Sequence, residues 1–168
     1  MAMTLKLIQS LRDCGEPRLP YTEQDALKAA VCFAGLAPCR KSQRGVILFQ
    51  RDKGALSGGF NHQPPPFTCD GSAACRDACS KLCVHAEQMA INSLGPHEDL
   101  DDVELLHVET VDGKAVPSGP PSCWQCSRLI VHAGIAKVWL LHYDGLRGYG
   151  ADEFHVLTLL HCGLPVIR

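Results

Sequence analysis

Two short motifs constrain this chain more than any other feature of its sequence. His85-Ala86-Glu87 and Cys123-Trp124-Gln125-Cys126 each open a stretch of helical periodicity, and His85 and Cys123 are 38 positions apart. One imidazole and two thiolates are ligands that zinc prefers, and three protein ligands leave a fourth coordination position open for water. The motifs therefore predict a catalytic zinc site held by His85, Cys123 and Cys126, in a fold that brings two helix starts together.

Glu87 has a different role from the three candidate ligands. It follows His85 by two positions at the start of a helix, so its side chain points in another direction and need not bind the metal. Zinc lowers the pKa of a bound water and supplies hydroxide at ordinary pH, and Glu87 is placed to carry protons for that reaction. Alternatives remain open, because a C-x-x-C pair also fits a redox pair or half of a zinc ribbon. A buried histidine beside two unliganded cysteines is the structural alternative.

Composition is typical of a single globular domain in a reducing compartment. The length of 168 residues suffices for one domain with a core. The net charge of -2, from 16 Lys and Arg against 18 Asp and Glu, gives no overall basic footprint for nucleic acid. We expect neither a signal peptide nor a membrane span, because residues 1–20 are charged and no long apolar run occurs. Many cysteines without a secretory signal favour metal binding in the cytoplasm over disulfides.

Hydrophobic periodicity predicts alternating helices and strands. Strands are expected at 45–49, 55–61, 103–111 and 136–143, the first two as a hairpin. Helices are expected at 4–13, 23–36, 84–94, 123–132 and 152–162. Loops are expected at 62–84, 112–122 and 144–150, and a last short strand at 166–167. The later β-α-β units require right-handed crossovers, a partly parallel sheet and helices on both faces, which predicts an α/β fold.

Further motifs carry a family resemblance. They are Pro38-Cys39, RGVILF from Arg44, Gly59-Phe60-Asn61, CVHAE from Cys83, Cys123-x-x-Cys126, IAKV from Ile135 and CGLPV from Cys162. From Ala29 to Arg168 the chain resembles the cytidine deaminase superfamily and, within it, the deoxycytidylate deaminase-like branch. The resemblance implies a three-layer α-β-α sandwich around a central mixed five-stranded sheet, in a homo-oligomer. It divides the chain into an N-terminal extension, 1–21, and one zinc-dependent deaminase domain, 22–168, with a cysteine-rich insertion at 62–84.

The resemblance also implies the chemistry, hydrolytic deamination of a cytosine nucleotide or nucleoside, with conversion of dCMP to dUMP as the leading reaction. His85, Cys123 and Cys126 would bind the catalytic Zn2+. Glu87 would shuttle protons from the water to the ring nitrogen and the leaving ammonia. Asn61 would hydrogen-bond the sugar, and the backbone of Ala86 would help to hold the edge of the base.

Two departures from the family pattern bear on the substrate. Ser122 stands directly before Cys123 where the family has proline, with Pro121 one position earlier. The loop after Asn61 has three prolines in place of the glycine and basic residue common in deoxycytidylate deaminases. The contacts to a 5′-phosphate are therefore open, and four basic residues are candidates for them, although charged residues of this kind are more often solvated surface charges: Arg44, Arg76, Lys81 and Arg147. Tyr143, at the end of a predicted strand, is a candidate for stacking on a base or an ordinary packed tyrosine.

Three other functions remain as alternatives on the same sequence. The first is a cytosine or adenine deaminase acting on nucleic acid, which the charge balance disfavours. The second is a deaminase of another small base, such as guanine or a pterin. The third is a non-catalytic zinc-binding module, against which the intact Glu87 argues, since a structural site has little use for a carboxylate that is not a ligand.

Four more cysteines lie within fifteen residues of one another ahead of His85. They are Cys69, Cys75, Cys79 and Cys83. The last three are each four positions apart, a spacing that places them on one face of a helical turn. Such a group predicts a second, structural zinc that orders the insertion. Reduced, partly buried cysteines are the alternative, because the spacing is not a paired C-x-x-C.

Overall fold

The fold is a mixed β-sheet with helices against both faces, which confirms the predicted α/β class. A computed structural model describes residues 19–95, 102–119 and 123–166. The predicted helix at 4–13, the Pro121-Ser122 pair and Ile167 lie outside these ranges. Within them, no helix is both long enough and apolar enough to cross a membrane.

Eleven elements follow one another along the described chain. The helices are α1 Glu23–Ala34, α2 Ala73–Leu82, α3 Ala86–Asn92, α4 Trp124–His132 and α5 Ala151–His161. The strands are β1 Gln43–Gln50, β2 Gly54–Phe60, β3 Glu104–Val111, β4 Lys114–Val116, β5 Lys137–His142 and β6 Gly145–Gly150.

The strands form one sheet in the order β2-β1-β3-β5-β6, with the short β4 paired to the end of β3. β1 pairs antiparallel with both β2 and β3, and β6 pairs antiparallel with β5. The β3–β5 pair is parallel, with Leu106 opposite Trp139. Since α4 connects these two strands, the predicted β-α-β unit is present. The connection places the start of α4 beside the carboxyl ends of β3 and β5.

Each face of the sheet has its own hydrophobic core. Ile47, Phe49, Leu106 and Val108 point to one face, where they pack against α1 through Ala30 and Phe33. Val46, Leu48 and Leu105 point to the other face, where Ala86, Ile130 and Phe154 cover them from α3, α4 and α5. The alternation of side chains along a strand divides these residues between the two cores. The result is the three-layer arrangement that we expected.

A glycine sets how closely α3 lies against the sheet. A Cβ built on Gly59 of β2 would lie 2.6 Å from the backbone nitrogen of Ala90, so no larger residue fits without moving the helix. Ser57 also holds α3, since its hydroxyl donates to the carbonyl of Ala90 at 2.7 Å. These contacts fix the helix that begins directly after His85.

The sheet has six strands, where five were expected, and two of them arise in predicted loops. β6 occupies the glycine-rich segment 145–150; it is an edge strand, so it pairs on one side with β5, and Gly148 makes room for the ring of Trp139. β4 follows Asp112 and Gly113, which have φ of 50° and 73°. Two successive positive φ values at Asp-Gly are typical of a tight hairpin turn. Val166 lies outside any strand.

The predicted loop at 62–84 contains a helix, α2. The Ser72 side chain accepts a hydrogen bond from the backbone N–H of Cys75 and so caps the first turn. The expectation of a loop followed from the lack of apolar residues at helical spacing. Cysteines occupy that spacing instead, as the grouping of Cys75, Cys79 and Cys83 had indicated.

Candidate active site

Two helix starts meet on one face of the sheet and bring the candidate ligands together. His85 is the N-cap residue of α3, and Cys123 is the N-cap residue of α4 with Cys126 in its first turn. One ring nitrogen of His85 and the sulfurs of Cys123 and Cys126 all lie within 4.8 Å of one another. The Nδ1 atom of His85 is 3.2 Å from the sulfur of Cys126. The three side chains predicted as ligands therefore form one cluster.

The protonation of this cluster suits a divalent cation. A hydrogen bond from Cys126 lowers the pKa of Cys123 to about 4. The same contact raises the pKa of Cys126, and the Cys123 thiolate raises the pKa of His85. One thiolate therefore forms readily, but two thiolates side by side require a positive charge between them. A nitrogen and two sulfurs fit zinc, and a set of three leaves a position for water.

Glu87 lies in the first turn of α3 and lines a cavity with Cys123 and Cys126. Burial raises the pKa of its carboxyl group. The charge of His107, the backbone N–H of Glu87 itself and the charges of His85 and Arg44 outweigh burial, so the pKa lies below its usual value. Glu87 is therefore a carboxylate at neutral pH, the form that accepts a proton.

His107 is a residue of this cavity that the sequence motifs do not identify. It lies on β3, is only 6% exposed, and its Nε2 is 3.9 Å from Oε1 of Glu87. Burial lowers the pKa of His107 and favours the neutral imidazole. The hydroxyl of Ser118 donates to the carbonyl of His107 at 3.4 Å and ties the loop after β4 to this strand.

The cavity is lined by both apolar and polar residues. Its apolar lining consists of Leu105, Ile130, Val138, Leu140 and Phe154. Its polar lining consists of Arg44, Glu87, His107, Ser118, Cys123 and Cys126, beside Gly119. A flat ring with polar atoms on one edge suits a cavity with this mixed lining, because the faces of the ring can pack on carbon and its edge can meet hydrogen-bonding groups.

Among the four basic residues considered for a phosphate, Arg44 lines the cavity. Its guanidinium donates to Oε2 of Glu109 at 3.0 Å, with both side chains partly exposed. Arg76, Lys81 and Arg147 are exposed, and Arg147 pairs with Asp144. They do not line the cavity. A permanent positive charge beside the candidate metal ligands is therefore supplied by Arg44.

The other predicted substrate contacts have different surroundings. The Asn61 amide accepts from the backbone N–H of Arg44 at 2.8 Å and donates to the carbonyl of Ser42 at 3.0 Å. It thus orders the start of β1, with one N–H and one lone pair still available. Ala86 is buried under β2, and Tyr143 is 97% exposed at the turn between β5 and β6. The roles of all three in substrate binding stay predictions.

The cysteines of the insertion form two pairs. The Cys69 and Cys75 sulfurs are 3.6 Å apart, and those of Cys79 and Cys83 are 2.8 Å apart. Among the described residues, no three of these thiols lie mutually within 4.8 Å. The structure thus places the four cysteines in two pairs, and their four sulfurs do not form one cluster with the spacing of metal ligands.

Comparison with known proteins agrees with the site. Residues 20–142 match the family described as the cytidine and deoxycytidylate deaminase zinc-binding region. The chain is similar in fold to the dCMP deaminase from the cyanophage S-TIM5, whose structure is known in complex with dCMP and dUMP. The TM-score is 0.54 and the sequence identity is 24%. The match covers 69% of this chain and 77% of the phage enzyme. The same enzyme in apo form gives a TM-score of 0.51 at 24% identity, covering 68% and 78%. No curated protein matches the chain.

Proposed function

The chain belongs to the cytidine and deoxycytidylate deaminase family, and on that premise we propose that it hydrolyses dCMP to dUMP and ammonia. The observation that carries this proposal is Glu87, a largely buried carboxylate placed beside the three clustered candidate zinc ligands but outside that set. A zinc site of purely structural use needs no such group. The dCMP and dUMP bound by the cyanophage enzyme of similar fold add support for the substrate.

The reaction requires proton movement that Glu87 can supply. Zinc held by His85, Cys123 and Cys126 supplies Lewis-acid activation of water. Glu87 takes a proton from the attacking water and delivers it to N3 of the cytosine ring. It then takes the remaining proton from the new C4 hydroxyl and passes it to the amino group, which leaves as ammonia and yields the uracil form. The water oxygen becomes the new carbonyl oxygen, so the atoms balance.

The remaining cavity residues orient the base. Leu105, Val138 and Leu140 exclude water from its faces. A neutral His107 can hydrogen-bond the base or the Glu87 carboxylate. Asn61 is proposed to contact the sugar through its remaining N–H, the Ala86 backbone the base edge, and Tyr143 the open side of the base.

Arg44 is the residue that we propose for the 5′-phosphate. It lines the cavity and presents a planar guanidinium that suits phosphate geometry. Its partner Glu109 holds the side chain in place while dCMP is absent and competes with the phosphate for it. A nucleoside would leave this charge paired with Glu109.

The test is ammonia release by the purified, zinc-loaded protein from dCMP, deoxycytidine, CMP, cytidine, guanine and a single-stranded oligonucleotide. We expect dCMP to have the highest kcat/KM. Arg44→Gln should lower kcat/KM for dCMP by about tenfold to a hundredfold, the loss of one charged contact, and leave deoxycytidine within about twofold. Turnover of guanine or the oligonucleotide in place of the monomers would contradict the proposal, as would an equal loss for both cytosine substrates.

We further propose that the protein works in the cytoplasm as a homo-oligomer formed by the 22–168 domain. The cysteines of the candidate zinc site and of the insertion carry thiols, which suits a reducing compartment. Helix α5 carries an outward row of apolar side chains: Val156, Leu157, Leu160 and, after the helix, Leu164. A second copy of the chain would cover this row.

A further inference from the structure

The insertion between β2 and α3 has no hydrophobic core of its own. His62 and Val84 close its base, with their backbone N–H groups donating to each other's carbonyls at 3.1 and 2.8 Å. None of the described side chains from 63 to 83 is buried, and the large apolar ones, Phe67 and Leu82, are 59% and 48% exposed. A segment of this size that buries no apolar surface needs a metal or a covalent link to offset the entropy lost on ordering.

The side chains that turn inward in this segment are mainly thiols. Cys75 and Cys79 lie on the half-buried side of α2, and Cys83 follows as its C-cap. Cys69 approaches from the preceding loop and lies 3.6 Å, sulfur to sulfur, from Cys75. Cysteine therefore occupies the inward positions of this segment that leucine or valine would take in a segment with a hydrophobic core.

Hydrogen-bond donors point at these sulfurs. The backbone N–H of Arg40 donates to Cys69 at 3.3 Å, and the side-chain amide of Gln63 donates to Cys75 at 3.3 Å. N–H donors of this kind stabilise thiolates, the form of cysteine that binds metals.

We propose that the insertion binds a second, structural zinc ion through its four cysteines, Cys69, Cys75, Cys79 and Cys83. Four thiolates are a ligand set of closed structural zinc sites. Two sulfurs on one tetrahedral zinc lie about 3.8 Å apart, since the Zn–S bond is about 2.3 Å. The Cys69–Cys75 separation already agrees with that spacing.

Closing the set requires the two thiol pairs to approach each other. Changing the rotamer of a cysteine moves its sulfur by about 3 Å, a displacement that needs no change of the backbone. The 2.8 Å between Cys79 and Cys83 is shorter than two sulfurs on one zinc require and longer than the ~2.0 Å of a disulfide, so this pair must also adjust. Zinc with four thiolates carries two negative charges, and Arg40, Arg76 and Lys81 on the same segments offset them.

The second ion has a role distinct from catalysis. The insertion begins two residues after Phe60 of β2 and ends directly before His85, so ordering it fixes the approach to the first catalytic ligand. Arg76 and Lys81, considered for a substrate phosphate, would instead neutralise the structural site. The inference does not rest on the identity of the substrate.

The test is metal content. We expect two zinc ions per chain in reduced protein purified with zinc. His85→Ala should lose one ion, as should the double variant Cys75→Ser/Cys79→Ser, each keeping the other. Cys32→Ser, a thiol of α1 outside the insertion, should keep both. Glu87→Gln should be inactive yet hold two ions, so that failure of the proposed deamination and failure of this inference are distinguishable.

Two further readouts guard against misfolding of the double variant. Cobalt(II) added to the His85→Ala protein should give the intense absorption of a tetrahedral thiolate site. N-ethylmaleimide should alkylate the insertion thiols of the same protein only after a chelator removes the ion. One zinc per chain in the wild type, intact disulfides by mass, or immediate alkylation of all four thiols would each overturn the proposal.

Discussion

Glu87 keeps its charge in a partly enclosed cavity because of the groups that surround it. Burial alone would favour the neutral acid, but a backbone N–H, the charges of His85 and Arg44, and the charge of His107 whenever that ring is protonated, favour the carboxylate. The carboxylate accepts each of the two protons, and its conjugate acid delivers the first to N3 of the base and the second to the leaving amino group. The neighbours of Glu87 therefore set the lower pH limit of the reaction.

A substitution at His107 tests this view. His107→Gln keeps a hydrogen-bonding side chain but removes an imidazole whose protonated form lowers the pKa of Glu87, so that pKa should rise. The acid limb of kcat/KM should move to higher pH, and kcat/KM at neutral pH should fall by about tenfold. His161→Gln, at the exposed end of α5, is the control and should leave the profile unchanged. An acid limb that does not move would show that His107 serves packing alone.

At the residue scale, the sequence predicted the zinc cluster but not the residues around it. His85, Glu87, Cys123 and Cys126 could be recognised because their chemistry and spacing are both restrictive. His107 is one of eight histidines and has no motif. The alternation of side chains along β3 could have identified it. His107 lies two positions after Leu105 and so on the same inward face of a central strand, where a polar side chain is unusual. The sequence alone could not distinguish Arg44 from basic residues on the surface, because that requires knowing which end of β1 lies beside the helices that carry the candidate ligands.

At the level of elements, the distance between α3 and β2 positions the site. Gly59 permits this close approach, and His85 is the residue at the end of the helix so placed. Gly59→Ala should destabilise the protein by about 1–3 kcal/mol, because the new Cβ displaces the helix or strains the strand. It should also weaken zinc binding at His85.

The control for this change is Gly150→Ala. A Cβ at Gly150 meets nothing within 4 Å, and its φ of -58° suits alanine. Thermal unfolding and zinc competition with a chelator measure both effects. Equal stability and zinc affinity for the two variants would show that the close approach is not needed.

The elements that the sequence predicted are those with a strong period of their own. α1 buries four alanines and Phe33 on one side, and β1 contains an uninterrupted apolar run. β6 was missed because its glycines lower strand propensity, and pairing with β5 overrides that preference. The β3–β4 hairpin was missed although Asp112-Gly113 is a turn signal, since prolines and serines follow it.

At the scale of the whole molecule, the outward side of α5 is the surface that assembly would use. Leu160→Glu places a charge at the centre of the apolar row and should convert the oligomer to monomers at micromolar concentration, as measured by sedimentation. Leu36→Glu, after α1 on the opposite face of the sheet, is the matched control and should leave the assembly intact. A wild type that is monomeric, or an assembly unaffected by Leu160→Glu, would contradict the proposed interface.

The measurement that tests the central claim most directly compares Glu87→Gln with the wild type for zinc content and for ammonia release from dCMP. The account predicts that the variant keeps its catalytic zinc and its thermal stability but loses kcat by at least about 10²- to 10⁴-fold, because the group that moves the protons is gone. Wild-type activity in Glu87→Gln would contradict the assigned mechanism. A zinc-loaded wild-type protein that releases no ammonia from dCMP would contradict the proposed reaction itself.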